Sequence, residues 1–183
     1  MPTYPQGFIL TGGPGSGKST LIHQLAQQGY TCSVEAGRAV IQEQVATGGN
    51  AVPWGDVLAF ADHMLCKEIH AWQRAQPQAV PCFFDRGIPD IAGYLCLCDL
   101  AIPLSLDKAI NQYRYAEKVF IAPPWREIYV QDAERKQSVE EAERTYHMMC
   151  EIYPRYGYQL VELPRASVEE RIAFILAESG IPS

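Results

Sequence analysis

The chain has 183 residues, 48% hydrophobic and 20% charged, with a formal net charge of −6; that is enough to bury one sizeable core, so one domain over 1–183 is expected. The acidic surplus repels a phosphate backbone and excludes unspecific nucleic-acid binding as a function class. The N-terminus lacks a basic segment followed by an apolar core, and no run approaches the roughly 18 apolar residues of a membrane helix, so a cytoplasmic protein without a membrane span is expected.

Gly7 to Thr11 is a short apolar run ending in glycines, followed by Leu21, Ile22, Leu25 and Ala26 at helical spacing. This predicts strand, loop, helix. The loop Gly12 to Thr20 fits the phosphate-binding pattern G-x-x-x-x-G-K-[ST] in the place the chemistry requires, after a strand and opening a helix. Its glycines leave successive backbone N–H groups free to converge on phosphate oxygens at a helix N-terminus, whose dipole favours anions. Gly13, Pro14, Gly15, Ser16, Gly17, Lys18, Ser19 and Thr20 are therefore the expected nucleotide-binding residues. Lys18 is expected to reach the β- and γ-phosphates from a solvent-accessible loop, and Ser19 to ligate Mg²⁺.

Thr31 to Val34 reads as a second strand, and Ala39, Val40, Gln44 and Val45 as a helix ending before Gly48-Gly49. Glu35 and Arg38, just past that strand, are placed to bind substrate hydroxyls or phosphate, although a Glu at a helix start is also simply stabilising. The strongest helical stripe is Val57, Leu58, Ala61, Met64, Leu65, Ile69 and Trp72.

A third strand, 79–84, is closed by Asp85, where phosphate-loop proteins place an acidic residue facing the metal and the reacting oxygen. Arg86 follows at the carboxyl edge, where open sheets bind ligands. Asp85 fits a turn role within Asp85-Arg86-Gly87-Ile88-Pro89 as well, and Asp90 reads equally as a helix cap. Two further strands are expected at Lys118 to Ala122 and at Gln159 to Leu163. Ser138-Val139-Glu140-Glu141 and Ser167-Val168-Glu169-Glu170 each present a Ser-x-x-Glu capping box, predicting two helix starts.

Between the fourth strand and Ser138, the segment 123–137 carries Arg126, Arg135 and Lys136 among turn residues. It reads either as a lid whose cations close over the phosphates or as a solvated face. The four histidines lack zinc-ligand spacing, and six cysteines without a CxxC pair read as reduced thiols. Five strands separated by helical segments imply a parallel sheet covered on both faces.

Together, GGPGSGKST at 12–20, VEAGR at 34–38, FFDRG at 83–87 and the Arg-bearing segment after FIAPPW at 120–125 resemble a known family. These are the predicted P-loop ATPases related to the ribosylnicotinamide kinase domain of the bacterial NAD regulator and to the TRPL-translocation-defect protein. The resemblance implies an α/β, three-layer fold of the nucleoside-monophosphate-kinase type, with five parallel strands in the order 2-3-1-4-5 and a small lid at 123–137. It also implies that Lys18 and Ser19 hold phosphate and metal, and that Asp85 is metal ligand or general base. Arg86 would contact substrate or phosphate, and Arg126 and Arg135 would be lid arginines.

Two functions are compatible with these residues. One is an ATP- and Mg²⁺-dependent small-molecule kinase acting on a nucleoside, nucleotide or riboside, with catalytic Lys18, Asp85, Arg86, Arg126 and Arg135. The other is a nucleotide-dependent switch binding a protein or phosphoinositide partner. No guanine-reading [NT]-K-x-D motif follows the fourth strand, so ATP is the expected nucleotide with GTP still compatible. The acceptor and the oligomeric state are not fixed by the sequence.

Overall fold

The computed structural model describes residues 7–78, 80–125 and 133–182, with the backbone alone over 133–138. Five strands, β1 (Gly7–Gly12), β2 (Thr31–Cys32), β3 (Cys82–Asp85), β4 (Lys118–Ala122) and β5 (Gln159–Glu162), form one sheet in the order β2-β3-β1-β4-β5. Every neighbouring pair is parallel, which is the expected topology. Leu10 of β1 lies opposite Asp85 on one side and Phe120 on the other. The end of β3 therefore stands beside the start of the phosphate loop.

Neighbouring residues along the central strands enter different cores, because side chains alternate across a strand. Ile9, Phe84, Val119 and Ile121 join one cluster with α2 (Ala36–Thr47), α3 (Val57–Ala75), α4 (Ile88–Leu97), α5 (Leu104–Gln112) and α6 (Ala133–Arg155). Leu10, Phe83 and Phe120 join the other with α1 (Lys18–Gln27) and α7 (Val168–Glu178). The sheet is thus the middle of three layers. No described helix is long and apolar enough to cross a membrane.

Two local expectations differ from the structure and a third holds. The second strand ends at Cys32, and Val34 is 75% exposed, because β2 is an edge strand whose chain turns into α2 at Glu35. Ser138 does not start a helix: α6 is already formed at Ala133. Residues 133–137, Ala-Glu-Arg-Lys-Gln, are all strong helix formers, so the helix runs through the Ser-x-x-Glu pattern. The same pattern at Ser167 does cap α7, with Glu170 N–H donating to Ser167 Oγ at 3.2 Å and Ser167 N–H to Glu170 Oε2 at 3.1 Å.

Part of the expected lid, 133–137, therefore belongs to a helix. Arg126 lies outside the described residues, as do the side chains of Arg135 and Lys136.

Candidate active site

The chain leaves β1 through Gly12 and re-enters regular structure at Lys18, the first residue of α1. Gly17 sits before the helix in the left-handed region at φ 86°, and no side chain caps the first turn. A left-handed residue here favours glycine, and it leaves the first N–H groups directed at the loop's concavity. Ser16 Oγ donates to Gly13 O at 2.8 Å across the loop, and both end nitrogens of buried Arg171, on α7, approach Ser16 O at 3.4 Å.

Lys18 is 6% exposed and its Nζ donates to the carboxylate of Asp85, itself buried at the end of β3. The expectation of an exposed loop lysine is therefore corrected: α1 begins at Lys18, and its side chain folds in beside the β3 carboxylate. Burial lowers the Lys18 pKa, and nearby Arg86 lowers it further, while Asp85 and Glu35 pull in the other direction. Asp85 is held from its backbone side as well, its N–H donating to Ser33 Oγ at 3.0 Å.

Arg86 is in the left-handed region at φ 68°, an uncommon conformation for a residue with a side chain. That turn directs its guanidinium between two acids, with Nε 3.5 Å from Glu35 Oε1 and Nη1 3.4 Å from Asp90 Oδ1. Burial opposes its charge, but Asp90, Glu35 and Asp85 outweigh burial and raise its pKa further. Arg38 lies farther out, 62% exposed, 4.0 Å from Glu35.

Asp90 is buried and does more than cap α4. It accepts from Gly87 N–H at 2.9 Å and from the hydroxyls of Thr11 and Tyr153. The last two donors come from β1 and α6 and were not legible from local sequence.

These residues surround one cavity of about 900 Å³. Its lining includes Gly13 to Thr20 together with Glu35, Arg38, Arg86 and Asp90. Asp85 meets the cavity through Lys18. Sequence reasoning missed other parts of the wall, among them Phe60, Met64 and Glu68 of α3, Ile91 and Tyr94 of α4 and Arg144 of α6. Glu68 had a signal: it falls four residues after Met64 and four before Trp72, a charged position on an apolar stripe.

Among the described residues no cluster of three or more His, Cys, Asp and Glu is arranged to hold a metal. A hard cation that keeps most of its waters and binds phosphate oxygens needs only one or two protein oxygens. Ser19, at the exposed start of α1, and Asp85 fit that requirement.

A parallel sheet in this order, with a phosphate loop between β1 and α1, defines a P-loop nucleotide-binding protein with a nucleoside- and nucleotide-kinase type of fold. A family model described as an AAA domain matches residues 7–171, and the chain belongs to that family. No curated protein matches the sequence significantly. Among solved structures the chain is similar to thymidylate kinase from Ehrlichia chaffeensis, at 16% identity and TM-score 0.63 over 94% of this chain and 97% of that one. It is similar also to deoxyadenosine kinase from M. mycoides, at 16% identity and TM-score 0.64 over 95% and 98%. NadR protein in complex with NR matches at 14% identity and TM-score 0.68 over 98% of this chain, which spans 52% of that protein. At these identities the likeness is one of fold.

Proposed function

We propose that the chain is an ATP- and Mg²⁺-dependent kinase of a nucleoside, nucleotide or riboside. The observation that carries this reading is the lining of the cavity, which joins the phosphate loop and Arg86 to the apolar side chains Phe60, Met64, Ile91 and Tyr94. A switch needs room for a nucleotide; a phosphoryl transferase needs room for a second substrate beside it. The similarity to NadR and to two nucleotide-type kinases supports the same reading.

In this reading the acceptor hydroxyl oxygen attacks the γ-phosphorus, the bond to the β-phosphate oxygen breaks, and the hydroxyl proton passes to the Asp85 carboxylate. Lys18 leaves Asp85 for the β- and γ-phosphates, freeing that carboxylate as the charge on the phosphates is neutralised. Arg86, fixed by Glu35 and Asp90, contributes a positive charge whose position is already set, so little reorganisation is needed during transfer. Mg²⁺, held by Ser19 and Asp85, would supply further charge stabilisation at the phosphates. Glu35 and Arg38 contact the acceptor.

The test is acceptor-dependent ADP release across a panel of nucleosides, nucleotides and ribosides. Asp85→Asn keeps the side-chain shape while removing the proton acceptor, so turnover should fall by ~10²-fold or more. ATP hydrolysis indifferent to every acceptor, or full turnover in the Asn variant, would falsify the kinase reading and favour the nucleotide-dependent switch.

A further inference from the structure

Glu68 is a buried acid without a full set of partners. It is 3% exposed on α3, it lines the cavity, and its Oε2 has no hydrogen-bond partner among the described residues. An orphan oxygen of this kind is expensive in a folded interior, and a leucine on the same apolar stripe would avoid the expense. Apolar side chains of α3 and α4 line the same cavity. Phe60 and Tyr94 meet edge to face, with ring centroids 5.6 Å apart at 80°, and Met64 lies one helical turn before Glu68.

Burial raises the Glu68 pKa well above the ordinary carboxyl value. Asp90, Asp85 and Glu35 raise it further, and Arg86 only partly offsets them. The same burial favours the neutral carboxylic acid over the carboxylate. Such a group offers one O–H donor beside one carbonyl acceptor. The edge complementary to it carries an acceptor beside an N–H donor, and the aromatic walls suit a flat ring.

We propose that Glu68 selects the acceptor, its buried carboxyl pairing with the edge of a flat ring that carries an N–H donor beside a hydrogen-bond acceptor, against Phe60 and Tyr94. This deepens the kinase reading and rests on it for what becomes of the bound ring, but not for the binding itself. The ligand class is that of nucleosides whose base edge is unblocked. A ring methylated on that nitrogen loses the donor and leaves one side of the Glu68 carboxyl unpaired.

Calorimetry on the full chain saturated with Mg²⁺ and a non-hydrolysable ATP analogue tests it with adenosine, uridine and inosine. They are compared with N6,N6-dimethyladenosine, 3-methyluridine and 1-methylinosine respectively, whose base edge carries no N–H. At least one parent nucleoside should bind, and its methylated form should bind ~10-fold or more weakly. Glu68→Gln, whose amide also offers a donor and an acceptor, should keep most of that discrimination, whereas Glu68→Leu should bind parent and methylated forms equally. Unchanged affinity for the ATP analogue checks that both variants are folded. If no parent nucleoside binds, if methylation leaves affinity unchanged, or if the Leu variant still discriminates, the assignment of Glu68 is overturned. Phosphoryl transfer to the same nucleosides is measured separately. A nucleoside that binds with discrimination but receives no phosphate refutes the kinase reading and leaves the role of Glu68 standing.

Discussion

The carboxylate of Asp90 joins three parts of the fold at one point. Thr11 belongs to β1, Tyr153 to α6 and Gly87 to the turn entering α4, and all three donate to it while Arg86 approaches at 3.4 Å. Truncating the side chain would strand two buried hydroxyls and an N–H, and would remove one of the two acids that form ion pairs with Arg86 among the described residues. Removing one partner of a buried charged network typically destabilises by about 3 kcal/mol or more. Asp90→Ala is therefore expected to lower the free energy of urea unfolding by about that amount. A loss under about 1 kcal/mol would show that water replaces these contacts. A helix-capping role for Asp90 was legible because Asp at the third helical position is a local pattern. The hydroxyls of Thr11 and Tyr153 lie 79 and 63 residues away in sequence, and no local pattern announces them.

At the scale of elements, the phosphate loop depends on α6 as much as on its own glycines. A Cβ added at Gly13 would lie 2.4 Å from Ala142 Cα and 2.6 Å from its carbonyl oxygen. Both obstacles are backbone and neither can rotate away. Gly13→Ala must therefore push the loop off α6 or tilt the helix, and either shift misaims the N–H groups that converge on phosphate. We expect ATP affinity to drop by roughly tenfold or more, since an ångström-scale displacement breaks several charge-assisted hydrogen bonds together. Calorimetry that finds wild-type affinity would show that the loop tolerates the shift. The glycine pattern announced the loop, but its contact with Ala142 joins residues distant in sequence, and no local pattern announces it. The stretch that forms α4, Ile88–Leu97, is apolar almost throughout, because its residues are buried on nearly every side. Without a polar face it gives no helical period, and only the cap reading of Asp90 marks a helix there.

For the whole molecule, the sheet separates two cores, and the ligand-binding loop grows out of its central strand. β1 is hydrogen-bonded to both β3 and β4, with Ile9 packed in one cluster and Leu10 in the other. The continuous apolar runs of these strands, separated by helical segments, made the three-layer arrangement legible, because each face demands a cover. The loop's dependence on both covering layers was not legible, since Arg171 and Ala142 reach it from distant helices. A ligand that binds the folded loop and has no affinity for the unfolded chain must stabilise the whole cooperative unit. At a hundred times its dissociation constant, ATP with Mg²⁺ is expected to add about 2.7 kcal/mol. For a domain of this size each kcal/mol raises Tm by about 2–4 °C, so the shift should be ~5–10 °C. Lys18→Ala needs a matched comparison, because removing the ammonium leaves the buried Asp85 carboxylate without its lysine partner and should lower Tm before any ligand is added. The informative quantity is therefore the increment caused by nucleotide, measured by calorimetry on each protein at one fixed ligand concentration. That increment should nearly vanish in the Ala variant, since the lost charge-assisted contacts to the phosphates carry much of the affinity. An Ala variant with lowered Tm but a full ligand-induced increment would place the nucleotide somewhere other than the loop from Gly12 to Thr20.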